Sequence, residues 1–176
     1  MIEATIDSLH VSLTGQTKIV LLKEIDSDRY LPILIGPDAV EAIRLELQNI
    51  VLPRPMTHDL LKNVIGAMNG KISHIVVTEL RNDTFYAKIV LDVDGKSMEI
   101  DSRPSDALAL AVRVKAKIFI TESVMDDNAI YPEVGLDIDT GANLDEEAGL
   151  ESQPENLEAF EDFIDSLDLD DLDTEA

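Results

Sequence analysis

The feature that most constrains this chain is a junction that occurs twice. LPILIGPDAVEAIR, from Leu31, and SMEIDSRPSDALALAVR, from Ser97, both run from a strand pattern through a proline to Asp-Ala and then a helix pattern carrying an arginine. The second copy has one residue inserted. Proline has a fixed φ and no N–H, so it suits the first turn of a helix and not its interior. Each proline therefore marks where a strand has ended and a helix begins.

Three strand patterns precede each junction. In the first set, EATIDSLHVSL alternates, with Leu9, Val11 and Leu13 on one face and Ser8, His10 and Ser12 on the other. After a turn at Gly15-Gln16 come KIVLLKEI, a second turn at Asp26 to Asp28, and RYLPILI. The second set is KISHIVVTEL, TFYAKIVLDV and KSMEID, with turns at Arg81 to Asp83 and at Asp94-Gly95, the latter a strong two-residue hairpin signal. A unit of three strands and a helix thus occurs twice, which predicts an internal duplication. Runs of antiparallel strands with packed helices predict an α+β fold of mainly antiparallel sheet, not a βαβ parallel one.

Between the units, the two prolines of VLPRP exclude helix. THDLLKNVIGAMNG then has helical spacing, with Thr57 as N-cap, Gly70 as the stop, and Leu60, Leu61, Val64, Ile65 and Met68 as its buried stripe. KIFITES predicts one more strand. The periodic signal fades after Asp126. Helical spacing returns in ENLEAFEDFIDSLDLDDL, where Leu157, Phe160, Ile164 and Leu167 share a face opposite one that is almost entirely acidic. The expected organisation is a folded domain over residues 1–127, an acidic, flexible linker over 128–155, an acidic amphipathic helix over 156–172, and a tail over 173–176.

Charge follows the same division. The formal charge is -22, and 19 of the 36 acidic residues lie after Met125, where there is no Lys or Arg. Residues 1–125 carry the other 17 acids against all 14 bases, a net charge of about -3. The acidic segment should repel nucleic acid and anionic membranes, and composition alone reads it as a solubilising extension. The absence of cysteine excludes disulfides, thiolate zinc sites and a cysteine nucleophile. No apolar run is long enough to cross a bilayer, and MIEATIDSLH lacks the order of a signal peptide, so the expected location is cytoplasmic.

Common nucleotide-binding and hydrolase motifs are absent. DVDG resembles part of a calcium loop, but Val90 would occupy the first ligand position, so a hairpin turn is the better reading. His10 and His74 sit in strand patterns as ordinary residues. Two polar clusters stand out. The first is Arg54, Thr57, His58 and Asp59, where capping accounts for Thr57 and Asp59 but not for the arginine or histidine. The second lies on SRPSDALALAVR. Advancing about 100° per residue, the apolar side chains cover roughly two thirds of the helix, and Ser105, Asp106, Ala109 and Arg113 share the remaining arc. Asp106 and Arg113 stand two turns apart on that narrow strip. One reading is structural, with Ser102 or Ser105 capping and the charges pairing with neighbours. The other is a cleft wall, where Arg suits phosphate and Asp suits a metal ion or a general base. Arg103, Arg113, Lys115 and Lys117, with Arg54, could form a phosphate-binding patch.

Across Met1 to Asp127 the sequence resembles the bifunctional nuclease family of bacteria and plants. LPILIGPDAVEAIRLEL, RPMTHDLL and SRPSDALALAVR carry the resemblance, and LEAFEDFIDSLDLDDL is similar to a helical segment found near the C-terminus of many members. The resemblance implies an α+β domain and hydrolysis of phosphodiester bonds in DNA or RNA. On that reading Asp106, Asp59 and His58 are the catalytic candidates, and Asp106 and Asp59 are also candidate ligands for a divalent cation. Arg54, Arg103, Ser105, Arg113 and Thr57 are the candidate substrate-binding residues. The acidic tail departs from the family pattern, which has some basic residues there. The alternative is a non-enzymatic binding or regulatory module whose acidic C-terminal helix engages a protein partner. Nucleic acid is the expected partner and a membrane is not. Exposed strand edges leave room for a homo-oligomer.

Overall fold

The computed structural model describes residues 1–11 and 18–131. The turn at Gly15-Gln16, residues 132–155 of the expected linker, the acidic helix over 156–172 and the tail lie outside the described residues. The elements are β1 (Ile2–Val11), β2 (Lys18–Glu24), β3 (Tyr30–Leu34), α1 (Pro37–Leu47), α2 (Thr57–Ala67), β4 (Gly70–Arg81), β5 (Thr84–Val93), β6 (Lys96–Ser102), α3 (Pro104–Val114), β7 (Lys117–Ile120) and α4 (Glu122–Asn128). The fold is α+β, as expected.

The described strands form one seven-stranded sheet in the order β3-β2-β1-β7-β4-β5-β6. Each three-strand set is an antiparallel meander. Between them lies β7, antiparallel to β1 and parallel to β4. Strand order and direction on the two sides of β7 are therefore those of one unit repeated about an axis through it. The sequence pattern predicts the extra strand but not its central place or its parallel pairing.

Local chemistry explains the element ends. Pro37 and Pro104 are the first residues of α1 and α3, each preceded by an extended residue, Gly36 or Arg103. At the hairpin turns Asn82, Asp83, Asp94 and Gly95 all take positive φ, as tight turns between right-twisted strands require. Thr57 is not the N-cap of α2. Met56 holds that place, and Asp59 Oδ2 accepts its N–H at 2.9 Å. Nor does Gly70 terminate that helix by a left-handed turn. Asn69 adopts it, with φ 58°, as Asn49 does after α1 with φ 55°. Gly70 is needed for another reason: a Cβ there would lie 3.0 Å from Ile65 Cγ2 and 3.1 Å from the Ile65 carbonyl oxygen.

The core lies between the sheet and the helices. Val20, Leu22, Leu31, Ile33, Ile75, Val77, Ala87 and Ile89 from the strands meet Ala39, Ala42 and Ile43 of α1 and Ala107 to Ala111 of α3. Alanines at 107, 109 and 111 let α3 approach its neighbours closely, so even Ala109, on the polar strip, is fully covered. α2 behaves differently. Leu60, Leu61, Val64 and Met68 are 39–70% exposed, and only Ile65 of the expected stripe packs on the core. Helix α4 runs through Asp126, where the periodic signal fades; it buries Val124 and Met125, and Ile130 beyond it bridges to Tyr30.

Candidate functional site

The polar strip of α3 faces the first turn of α2. Two contacts join them. Arg113 Nε donates to Asp59 Oδ1 at 2.7 Å, and His58 Nε2 lies 3.2 Å from Asp106 Oδ1. The second polar cluster of the sequence thus meets the first, pair by pair. The arrangement follows from the chain itself. The Pro53–Pro55 stretch keeps the connection after α1 from continuing as helix. Helix α2 then starts at Thr57, which puts His58 and Asp59 in its first turn.

The Arg113 side chain is only 2% exposed. Its Nη1 donates to the Ala109 carbonyl oxygen at 2.7 Å, so two of its nitrogens are committed inside the domain. Burial pushes the Asp59 carboxyl up, but the Met56 N–H and Arg113 together outweigh it and hold the group below the ordinary carboxylate range. Asp106 is similar. Burial raises it, while hydrogen bonds from Arg103 and then His58 lower it further than burial raises it. Arg103 is a two-pronged partner, with Nε 2.8 Å from Asp106 Oδ2 and Nη2 3.2 Å from Oδ1, yet its side chain remains 79% exposed. It can therefore hold the carboxylate and still meet a ligand from solvent.

The other expected site residues fall out differently. The Ser105 and Thr57 hydroxyls make no hydrogen bond to another described residue, and Thr57 is exposed. Neither Ser102 nor Ser105 caps α3; the Ser102 hydroxyl is buried without a partner among the described residues. Arg54 belongs to neither pair and lines a hollow whose wall also includes Asp59 and Arg113. Lys62 lines the same hollow and was not singled out from sequence, although it stands three residues after Asp59, on the same side of α2. The basic residues around α3 do not form one patch. Arg103 and Lys115 flank opposite ends of the helix, about 18 Å apart at 1.5 Å per residue. Arg113 is buried, and Lys117 pairs with Glu3.

A divalent cation shared by Asp59 and Asp106 does not fit this arrangement. Asp59 is held by Arg113, which stands seven residues from Asp106 on α3, about 10 Å along its axis. All four carboxylate oxygens already face arginine, histidine or backbone nitrogens. Among the described residues no three His, Asp or Glu side chains are grouped to hold a metal. What the arrangement can do is fix an imidazole against a carboxylate beside an exposed guanidinium.

The comparisons with known proteins agree with these motifs. The family model for the bifunctional nuclease domain matches residues 20–133. An uncharacterized protein of Mycobacterium tuberculosis is 34% identical over 170 residues, 97% of each chain. Bifunctional nuclease 1 of Oryza sativa subsp. japonica is 30% identical over 115 residues, 64% of this chain and 35% of the relative. Bifunctional nuclease 1 of Arabidopsis thaliana is 27% identical over 107 residues, 59% of this chain and 33% of the relative. The chain therefore covers about a third of these plant proteins. With its sheet, its two junctions and the paired motifs at their centre, this chain belongs to the bifunctional nuclease domain family.

Proposed function

We infer that the domain hydrolyses phosphodiester bonds in DNA or RNA, with His58 as its proton-transfer group. The observation that carries this reading is the contact between His58 Nε2 and Asp106 Oδ1, which joins the two most specific motifs of the chain. With a proton on Nε2 donated to the carboxylate, Asp106 fixes the ring and its tautomer, and Nδ1 is left to take a proton from water or return one to the leaving oxygen. The His58 side chain is 13% exposed, so it is shielded yet reachable. Arg103, largely exposed beside Asp106, meets the phosphate and offsets charge developing on it. Arg54 contributes a second phosphate contact. Asp59 and Arg113 act as positioning residues that pin α2 to α3 and so set the place of His58. No helix among the described residues is long and apolar enough to cross a bilayer.

The test is cleavage of single-stranded DNA and RNA by the purified full-length chain, with and without chelator. His58→Ala and Asp106→Asn should each lower the rate by about 10²–10⁴-fold, the range for removing a positioned acid or base. Undiminished cleavage by both variants would place the activity elsewhere.

One observation favours a second reading. The charges of Asp59 and Asp106 are already matched by Arg113 and Arg103, as in a structural clamp. The domain would then be a binding or regulatory module, with the acidic C-terminal segment engaging a protein partner. A stable partner lost on removal of residues 150–176, together with no cleavage by the full-length chain, would favour this reading over hydrolysis.

A further inference from the structure

We propose that the hollow beside the start of α2 takes one unpaired nucleotide, so that the domain acts on single strands in preference to duplexes. The proposal rests on the nuclease reading for the kind of ligand and goes beyond it in naming the strand state and the subsite. The hollow has a volume of about 320 Å³, near the lower end of the roughly 300–1,000 Å³ typical of small-ligand sites. It is formed by the end of α1, the loop to α2, and the first half of α2.

Its chemistry is divided. One part is apolar, from Leu45, Ile50, Leu52, Pro53 and Met56. Another is cationic, from Arg54 and Lys62; Arg113 also lines the hollow, together with the Asp59 carboxylate that neutralises it. Most arginines of the domain are spent on carboxylates: Arg29 on Glu24 and Asp126, Arg44 on Glu41, Arg81 on Glu79, Arg103 on Asp106 and Arg113 on Asp59. Arg54 and Lys62 form no ion pair among the described residues, and both line this one hollow. Uncommitted cations beside an apolar wall suit a ligand that is both anionic and flat, and a nucleotide is such a ligand. Glu46, also in the lining, would repel a phosphate but can accept hydrogen bonds from the amino group of a base. The phosphate then belongs at Arg54 and Lys62, and the base against the apolar wall. A base in a duplex is stacked on both faces and cannot enter such a site. An unpaired base can, at little cost.

The experiment is equilibrium binding of a fluorescent single-stranded oligonucleotide, and of its duplex, to the full-length chain at low salt. The single strand should bind about tenfold more tightly than the duplex, within the range that one stacked base contributes. Leu52→Asp, at an exposed wall position, and the double variant Arg54→Glu, Lys62→Glu should each weaken single-strand binding by at least about tenfold, with an unchanged melting temperature. Equal affinity for the two forms, no binding of either, or single-strand affinity unmoved by both variants would overturn the proposal. His58→Ala separates it from the nuclease reading, because that variant should lose cleavage and keep the strand preference. If the parent does not cleave but its single-strand preference depends on the hollow, the nuclease reading fails and this proposal stands. Cleavage with binding indifferent to the hollow is the reverse case.

Discussion

Arg113 Nε donates to Asp59 Oδ1 at 2.7 Å, tying the last turn of α3 to the first turn of α2 across 54 positions of sequence. The arginine is buried and the aspartate is about one third exposed. Neutralising the carboxylate leaves a buried charge without its counter-charge. Asp59→Asn should therefore destabilise the domain by about 3 kcal/mol, the low end for breaking a buried pair. Arg113→Met in the same chain should restore part of that loss, because no unpaired charge remains. Denaturant unfolding of the two single variants and the double variant measures this directly. Additive losses would mean that the pair is not coupled.

The same carboxylates set an acid limit. The pKa values of Asp59 and Asp106 are both depressed in the folded state, so the unfolded chain binds more protons through this range and stability rises with pH. Their contribution is complete above the ordinary carboxyl value of about 3.9 and is lost as pH falls through the lower folded values. The urea midpoint should be flat with respect to these groups near neutrality and fall steeply below about pH 4. Asp59→Asn should make that acid limb shallower.

Arg103 should be separable from folding. Its ion pair with Asp106 is exposed on the arginine side, and exposed pairs contribute about 0–1 kcal/mol. Arg103→Ala should leave the melting temperature nearly unchanged while raising KM more than it lowers kcat, as loss of a phosphate contact would. A fall in kcat alone would point instead to a role through Asp106.

Three positions on and beside α2 make contrasting predictions. Leu60 is 56% exposed and Met68 70% exposed. Leu60→Lys and Met68→Lys should change stability by no more than about 0.5 kcal/mol. Gly70→Ala should cost about 1–3 kcal/mol, because the added methyl meets the Ile65 carbonyl oxygen, which is backbone and cannot swing aside. Thermal unfolding of the three variants ranks them.

Much of the fold is legible in particular residues. Pro37 and Pro104 open helices because nothing in the first turn needs their missing N–H. Asp94-Gly95 closes a hairpin because both positions tolerate positive φ. The strip Asp106, Ala109, Arg113 is legible from helical spacing. What faces it is not, since a wheel describes one helix and His58 and Asp59 arrive from about 50 residues away. For α2 the spacing of Leu60, Leu61, Val64 and Met68 shows that they share a face. It carries no information on whether another element covers that face, and among the described residues none does so fully. The hollow is not legible in the sequence for a related reason. Its wall comes from Leu45, Ile50 and Leu52, which read as ordinary apolar residues until the loop brings Arg54 beside them.

The central place of β7 bears on how the domain is made. Among the described strands, only Lys117–Ile120 bridges the two meanders, which do not pair with each other. During synthesis β1 and β4 must therefore wait as open edges until almost the whole domain has left the ribosome. Open edges recruit other chains. A nascent chain arrested before Lys117 should be prone to aggregation, and the two halves of the sheet should gain protection from hydrogen exchange together, at the moment their shared strand docks.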